Sequence, residues 1–545
     1  MQFVYLTLLV GNNNLKLQIM NVKSLTLIIS LVLIFPLVYL VYSVLGLNLE
    51  NFIYLWNNLL VGYSFNTLYL VFLTSIFSLI LGIIPAWFIS TSNFKGKNFF
   101  DVVLFLPLAI PSYIIAFTYS DILSYTGPLQ SFLRNYYPDI YPYFNQDYLQ
   151  IEILSILMAL VLYPYIYTAC RISFSLIGSN YINIARNLGM SKLKTFFKII
   201  IPISRVSIFS GLFLVIMEVL NEYGAVKYFG VNTFTSGIFR SWYSMEDVDT
   251  ASILAVCLLI IVSIFFILER YSNSKYNYNY KSNDDVSGNY TLNKSSMSLI
   301  YFTCIIPFIL GFFIPVIYII KNAIDTFSNI DLNELSILSF NSFFLAFVSS
   351  LIIVIIAILF QFFKKISRSK TIFFLSEVVS LTYALPGAVI ALSLILIISA
   401  FSNFSGISIV FGSLSVLIYA YVMRYMAVGI SPLKSSFEKH PESFDQTGRN
   451  LGMTNFKIFS KIHLPINKTS ILIAFILCFV DIIKELPITL ILRPFNFDTL
   501  AVKTYEYAIE EMIAKSSIYS LIIILFGTVL LIFLRKIINK SINVS

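Results

Sequence analysis

Charge is scarce in this chain. Of its 545 residues only 12% are charged and 58% are hydrophobic, whereas ordinary soluble domains have about 25% and about 45–50%. This balance excludes a water-soluble globule. Apolar runs of about 18 or more residues are typical of membrane-spanning helices. Twelve such runs predict an all-α polytopic membrane protein with about 12 transmembrane helices.

Histidine and cysteine are equally sparse. The two histidines, His440 and His463, lie in one polar loop, and the four cysteines all fall inside apolar runs. The sequence therefore offers no disulfide framework, no Cys-x-x-Cys metal site and no histidine-rich transition-metal site. We predict no firm metal ligands, no catalytic residues and no cofactor bound by this chain.

A phosphate-binding loop is also missing. The pattern Gly-x-x-x-x-Gly-Lys-Ser/Thr, whose backbone N–H groups hold nucleotide phosphates, has only a partial match at Gly96-Lys97-Asn98. The sequence also contains no solute-binding lobe. We therefore expect any ATP hydrolysis, and any capture of solute outside the cell, to belong to separate proteins.

Basic residues mark one side of the predicted membrane protein. Lysine and arginine concentrate in alternate loops, which the positive-inside rule assigns to the cytoplasm. Both termini are then cytoplasmic, and topology accounts for the net charge of +9 without nucleic acid as a partner. The run from Leu25 is too long for a signal-peptide core and predicts a retained span. Met20 is an alternative start to Met1.

One segment occurs twice. Residues 186–190, Arg-Asn-Leu-Gly-Met, recur letter for letter at 449–453, which predicts a tandem duplication of a six-helix unit. The predicted organisation is an N-terminal tail with the first span, a first membrane domain, a cytoplasmic linker rich in Asn, Ser, Tyr and Lys, and a second membrane domain: residues 1–49, 50–270, 271–297 and 298–545.

The repeated segment predicts a helix–turn–helix bracket on the cytoplasmic side. Gly189 is suited to the left-handed conformation that ends a helix. Ser191, and Thr454 in the second copy, are N-cap residue types that begin another helix, which we expect to end at Pro202. An ordinary basic helix lying on anionic lipid would explain the lysines, but it would not explain why glycine, hydroxyl and proline keep one register twice.

These brackets resemble the cytoplasmic loop of binding-protein-dependent ABC importer permeases, in which Glu-Ala-Ala is followed by Gly and then by Ile-x-Leu-Pro. The resemblance implies two tandem type I ABC importer permease units whose brackets are coupling helices that seat on an ATPase subunit. At the start of the motif, Asn183-Ile184-Ala185 and Gln446-Thr447-Gly448 replace Glu-Ala-Ala. The residues predicted to form the two coupling loops are Asn183, Ala185, Arg186, Gly189, Ile199, Pro202, Gln446, Arg449, Gly452, Ile462, Leu464 and Pro465.

The fused layout, together with residues 218–235 and 484–500, resembles bacterial ferric-iron importer permeases. This resemblance implies iron(III) as cargo, a periplasmic or extracellular ferric-binding protein, two copies of an ATPase subunit that carry ATP and Mg, and a place in the bacterial inner membrane. A permease for thiamine or another small solute remains an alternative. So does a 12-helix secondary transporter, although its strongest repeated signal would be expected between spans 2 and 3. A glycosyltransferase using Asp247 and Asp249, or a scaffold, fits less well.

Four carboxylates fall inside apolar runs. Glu218 and Glu222, and their counterparts Asp481 and Glu485, are each spaced four residues apart and are expected to share a helix face. A carboxylate inside the membrane costs about 2.5–3.5 kcal/mol on insertion scales and indicates a functional site. Oxygen ligands suit a hard cation, so we predict that the two pairs line a substrate pathway. The alternative is a structural role, in which they bond to Arg424, to Lys484 or to backbone.

Overall fold

The computed structural model describes the chain with several gaps, and every regular element in the described part is helical. The predicted linker, residues 271–297, lies mostly outside the described residues. So does much of the start of the ninth predicted span, residues 372–400. The residues not described are 1, 47–52, 54, 275–293, 368–369, 373–374, 376–378, 380–381, 383–384, 406–411 and 543–545.

The helices of the first sequence half begin and end as follows: α1 Gln2–Leu45, α2 Val61–Thr91, α3 Lys97–Val103, α4 Ser112–Leu123, α5 Pro128–Tyr136, α6 Tyr141–Phe144, α7 Ile151–Asn187, α8 Lys192–Thr195, α9 Ile201–Asn221, α10 Gly224–Tyr228, α11 Phe234–Phe239 and α12 Val248–Ser274.

The helices of the second half are α13 Lys294–Phe308, α14 Ile314–Thr326, α15 Leu332–Ser367, α16 Gly387–Ser405, α17 Leu414–Lys439, α18 Ser443–Asn450, α19 Asn455–Ile458, α20 Leu464–Ile466, α21 Lys468–Ile483, α22 Pro487–Leu492, α23 Leu500–Ile509 and α24 Ile513–Ile542. Turns of π-helix precede α9 at Phe196–Ile200 and α20 at Phe459–His463.

The predicted number of spans is confirmed. Within the described residues, 10 helices are long and apolar enough to cross a membrane, or up to 12 if each of two bent helix pairs is one span. The protein is therefore an all-α polytopic membrane protein, as the composition predicts.

Two helix pairs are sharply bent. The predicted third span, residues 102–120, is broken between Ala109 and Ser112 with an angle of 91°, because Ile110 takes an extended conformation before Pro111, the conformation that a following proline favours. A second bend, of 73°, lies between Ile466 and Lys468, just before the predicted eleventh span, residues 469–491. Proline and a local break, rather than the apolar run, set where these helices end.

The described chain forms two compact units that do not follow the sequence halves. The larger unit contains Leu47–Leu338 and Asp498–Arg535, and the smaller unit contains Met1–Gly46, Ser339–Phe497 and Lys536–Ser545. The domain limits predicted from the repeat describe the sequence duplication, and they stay a prediction.

The core of the larger unit is formed by α2, α7 and α9, which pack against one another. Gly82 and Gly211 lie against α7 so closely that an added Cβ would come within 2.9 Å of Ile166. Small residues at such contacts let helix backbones approach in membranes. Helices α13 and α14, which belong to the second sequence half, pack on α2, α3 and α4.

The core of the smaller unit is formed by the contacts of α17 with α21 and α22, and of α16 with α17 and α22. Here α1, from the first sequence half, packs on α16. The first span of each half thus contacts the third span of the other half, once in each unit.

Candidate functional site

The first bracket, residues 183–202, turns at Gly189. Gly189 has φ of +71°, and the Met190 N–H donates to the carbonyl of Ala185 at 3.0 Å, which is the long hydrogen bond of a Schellman cap. After the turn, the Lys194 N–H donates to the Ser191 hydroxyl at 3.4 Å. The left-handed glycine and the hydroxyl cap are those that the sequence predicts.

The second bracket, residues 446–465, repeats this geometry. Gly452 has φ of +72°, and the Met453 N–H donates to the Gly448 carbonyl at 3.0 Å. Thr454 accepts from the Lys457 N–H as an N-cap. Gly448 is buried under α19, where an added Cβ would come within 3.0 Å of Ile458, so the two arms of this bracket touch.

One prediction for the brackets is wrong. Pro202 does not end the second arm, because the chain stays helical from Leu193 to Asn221. Proline removes a backbone donor and crowds the carbonyl four residues earlier. The π-turn Phe196–Ile200 precedes it, and a wider turn of this kind accommodates the proline. The second bracket has the same π-turn, but it is followed by the 73° bend beyond Ile466.

The remaining predicted bracket residues lie on both arms. Asn183, Ala185 and Arg186 are in α7, and Ala185 is buried. Gln446 and Arg449 are exposed on α18, whereas Ile199, Ile462 and Leu464 are half-buried. Pro202 and Pro465 are exposed.

Sequence reasoning missed an apolar tip on each bracket. Leu188 and its counterpart Leu451 have exposed fractions of 74% and 70%, and Leu193 and its counterpart Phe456 have 71% and 77%. Large apolar side chains exposed together mark interaction sites. The signal was present in the sequence, since both pairs sit beside the repeated glycines.

Each carboxylate pair lies at a break between two helices. Helix α9 ends at Asn221 and α21 ends at Ile483, so Glu222 and Glu485 lie beyond the helix. The expectation that the pairs share a continuous helix face is therefore wrong. In the second copy Pro487 follows the break, and proline disfavours helix in the residue before it.

Both glutamates cap the short helix that follows the break. Glu222 Oε1 accepts from the Ala225 N–H at 3.0 Å, and Glu485 Oε1 accepts from the Ile488 N–H at 3.2 Å. The Thr489 hydroxyl donates to the Glu485 carbonyl at 3.0 Å. The carboxylates thus satisfy backbone donors that a helix start leaves open.

The second-half pair is neutralised by cations. Arg424 Nη1 lies 3.5 Å from Glu485 Oε1, and Lys484 Nζ lies 2.9 Å from Asp481 Oδ1. Arg424 and Glu485 are 6% and 5% exposed, and the Tyr425 hydroxyl donates to the other Glu485 oxygen. This is the structural arrangement that the sequence left open as the alternative.

The first-half pair has different surroundings. Glu218 and Glu222 are half-buried. Val161, which is buried, occupies the sequence position that corresponds to Arg424. The ion pair of the second half therefore has no equivalent at that position.

The two histidines lie together beneath the second bracket. His463 is 0% exposed, and its Nε2 lies 2.7 Å from Asp445 Oδ1. Lys365 Nζ donates to the His440 carbonyl at 3.0 Å and lies 3.9 Å from Asp445 Oδ2. Burial, together with the charge of Lys365, lowers the pKa of His440, so that ring is neutral at pH 7. A cleft of about 320 Å³ opens beside these residues, lined also by Gln361.

The described part of the chain contains no preformed cluster of metal ligands. No group of three or more His, Cys, Asp or Glu side chains there is placed to hold a metal ion. Cys170, Cys304 and Cys478 are buried free thiols, and Cys257 is half-buried.

Comparison with known proteins agrees with the brackets. Residues 78–277 match the family described as "Binding-protein-dependent transport system inner membrane component". The chain is 27% identical to the Fe(3+)-transport system permease protein FbpB 2 of Haemophilus influenzae over 479 residues, which covers 86% of this chain and 89% of the relative. The chain is thus similar to binding-protein-dependent transport permeases, in residues 78–277 by the family match and over 86% of its length by the likeness to FbpB 2.

Other relatives are shorter than this chain. The sulfate transport system permease protein CysT of Salmonella typhimurium is 27% identical over 38% of this chain and 75% of its own length. The molybdenum transport system permease protein ModB of Haemophilus influenzae is 29% identical over 29% of this chain and 66% of its own. All of these relatives carry the names of transport system permeases.

Proposed function

We propose that the chain is the fused permease subunit of an ATP-driven importer of iron(III). The observation that carries the proposal is the likeness to FbpB 2, which extends through both sequence halves, whereas the sulfate and molybdenum permeases match less than half of the chain.

The site chemistry supports a cationic cargo. The helix breaks place carboxylates at equivalent points of both halves. Carboxylate oxygens are ligands for hard cations and would repel sulfate or molybdate.

The brackets support a division of labour between proteins. Their exposed leucines provide apolar surface for a partner on the cytoplasmic side, where an ATPase subunit with ATP and Mg would bind once per bracket. A ferric-binding protein outside the membrane would deliver the cargo. The protein would reside in the bacterial inner membrane with both termini in the cytoplasm, as the distribution of lysine and arginine predicts.

Uptake into proteoliposomes tests the cargo. Vesicles holding the permease, its ATPase partner and ATP would be given radioactive iron(III) on the binding protein, or radioactive sulfate or molybdate on theirs. We expect uptake of iron alone. ATP-dependent uptake of an oxyanion without iron would contradict the proposal and leave a permease of the same family with another cargo.

A second arm tests the pathway acids. Glu222→Gln removes the negative charge but keeps an oxygen for the Ala225 N–H, and we expect iron uptake to fall about tenfold or more, since a charged contact contributes about 1.5–3 kcal/mol. Glu246→Gln and Glu510→Gln, at exposed acids, are the matched controls and should leave uptake unchanged. If Glu222→Gln takes up iron at the wild-type rate at equal expression, the role of Glu222 is limited to capping α10.

A further inference from the structure

The residues beneath the second bracket come from four different elements. His463 is the last residue of the π-turn Phe459–His463, Asp445 lies on α18, Lys365 lies near the end of α15, and His440 follows α17. We call His463, Asp445 and Lys365 the polar clamp. Because α18 is the first arm of the bracket and the π-turn belongs to the second, the clamp ties the two arms to each other and to α15.

The histidine in the clamp is held in one orientation. Its ring stacks on Phe437 with the centroids 5.2 Å apart and the planes 14° apart, and Phe362 lies 5.3 Å away at the other side of the cluster. Its Nδ1 has no hydrogen-bond partner. A carboxylate only accepts hydrogen bonds, so His463 Nε2 carries the proton that is donated to Asp445.

The carboxylate of Asp445 depends on its two partners. Its side chain is 16% exposed, and it receives the His463 N–H at 2.7 Å and faces the Lys365 ammonium group at 3.9 Å. A partly buried charge whose partner is removed is left without the interactions that compensate for its lost hydration. Replacing His463 alone should therefore disturb α18 more than replacing both residues of the pair.

The first bracket is held differently at the same positions. At the offset of 263 residues that relates the two copies of Arg-Asn-Leu-Gly-Met, Ile200 corresponds to His463 and Ile177 to His440. Upstream, where the offset is 275 as between Asn66 and Asn341, Ala86 corresponds to Gln361. All three first-half residues are buried apolar groups. One aromatic contact is kept, since Trp87 contacts Phe196 as Phe362 contacts the equivalent Phe459. At the compared positions whose side chains are described, the second bracket has hydrogen-bonding groups and the first has apolar groups.

We propose that His463 and Lys365 are positioning residues that hold the second coupling bracket through Asp445. Binding of an ATPase subunit to this bracket then depends on a directional hydrogen bond. Binding to the first bracket depends on apolar packing instead. This rests on the proposed docking of ATPase subunits on the two brackets. None of the three residues is itself placed in the exposed apolar tip, so their effect on the ATPase acts through the orientation of α18.

The test compares single and double replacements in the full-length permease. The variants are His463→Ile, His463→Gln and the pair His463→Ile with Asp445→Ile, which installs the residues of the first sequence half, where position 182 is also isoleucine. The measurements are the affinity of the purified permease for its ATPase subunit and the ATP turnover of the complex. A single elution peak in detergent shows that each variant is folded.

We expect His463→Ile to weaken ATPase binding about tenfold, a change equivalent to about 1.4 kcal/mol. His463→Gln, which can still donate an N–H to Asp445, should bind within about threefold of wild type, and the double isoleucine variant should bind more tightly than His463→Ile alone, because the stranded carboxylate is gone. Ile200→Ala in the first bracket is the control for lost packing. Ile200→Gln should not recover ATPase binding there, because the first bracket has no equivalent of the Asp445 carboxylate at position 182.

Two results would overturn the inference. Unchanged ATPase binding by His463→Ile would show that the pair does not position the bracket. A double variant that binds more weakly than His463→Ile would show that the loss of His463 does not act by stranding the Asp445 carboxylate. Failure of the wild-type permease to bind its ATPase would instead contradict the proposed function, and uptake of a cargo other than iron would leave this test unaffected.

Discussion

The two brackets have one outline and two different interiors. Both turn at a left-handed glycine, both open the second arm with a hydroxyl cap, and both expose a leucine at the tip. Yet the first continues straight into its span, and the second bends by 73° beyond Ile466. The duplicated surface has been kept while the support beneath it has changed.

The same contrast recurs at the helix breaks. Glu485 is enclosed with Arg424, where the first half has Val161. The second half thus uses charges and hydrogen bonds at two places where the first uses aliphatic side chains. Buried ion pairs add little net stability but make each partner dependent on the other, so the second half should tolerate single replacements less well.

Removing Arg424 should give the largest effect. Arg424→Leu leaves Glu485 buried without its cation, and breaking such a pair costs about 3–5 kcal/mol. We expect a marked fall in the thermal unfolding temperature of the detergent-solubilised protein. Val161→Leu, at the equivalent position of the first half, adds a methylene to a packed site and should cost about 1–3 kcal/mol, less than the loss of Arg424. Equal falls for the two variants would abolish the proposed difference between the halves.

Charging the bracket tips should come next. Leu188→Asp and Leu451→Asp each remove an apolar side chain from the proposed ATPase contact, and burying such a side chain contributes about 1.5–3 kcal/mol. Co-purification of the ATPase subunit should drop for both variants by a similar amount, since the tips are alike. Tyr143→Asp, at an exposed residue of the short helix α6, is the control and should not change co-purification.

The turn glycines should show a smaller effect. Gly189→Val and Gly452→Val force a β-branched residue into a left-handed turn at a cost of about 1–2 kcal/mol, while no neighbouring atom lies within 4 Å to obstruct the side chain. Transport should fall while membrane insertion persists. Gly62→Val is the matched control, because Gly62 also has open space but is not among the residues with positive φ. Wild-type transport by both bracket variants would show that the turns need not be rigid.

The smallest expected effect is the contribution of the polar clamp to the pH dependence of stability. Burial acts to raise the pKa of Asp445, but the hydrogen bond with His463 and the charge of Lys365 outweigh it and hold the pKa below the ordinary 3.8. A lowered carboxyl pKa stabilises the fold above the unfolded pKa and loses that contribution as pH falls through the folded value. The unfolding temperature of the wild type should therefore fall more steeply than that of Asp445→Asn between about pH 5 and about pH 3. Parallel curves would mean that Asp445 gains nothing from its partners.

Much of this architecture follows from local chemistry and is readable in one sequence. Apolar length predicts the spans, and Gly189, Ser191 and Thr454 have the residue types that their turns and caps require. Proline at 111 and 487 could also have indicated the broken helices, but an apolar run gives no measure of where a helix within it ends. The continuous helix through Pro202 depends on a π-turn, which has no simple sequence pattern.

The polar clamp could not be found by reading one loop at a time. His440, Asp445 and His463 look like ordinary solvated residues between two spans, and only their tertiary burial against Phe362 and Phe437 makes them a unit. Aligning the two copies would have given a hint, because Ile200 stands where His463 does. The exchange of first spans between the halves left no local trace, since lipid and helix neighbours are equally apolar.

That exchange has a consequence for how the protein is made. Helix α1 precedes its packing partner α16 in the chain by the whole first half and the linker. Such long-range contacts form late, so α1 must wait in the membrane until α16 has been synthesised. Joining the halves in one polypeptide keeps each waiting helix at high effective concentration near its partner. If the two halves are expressed together as separate chains, divided within residues 275–293, we therefore expect assembly only when the first span of each half packs on the third span of the other.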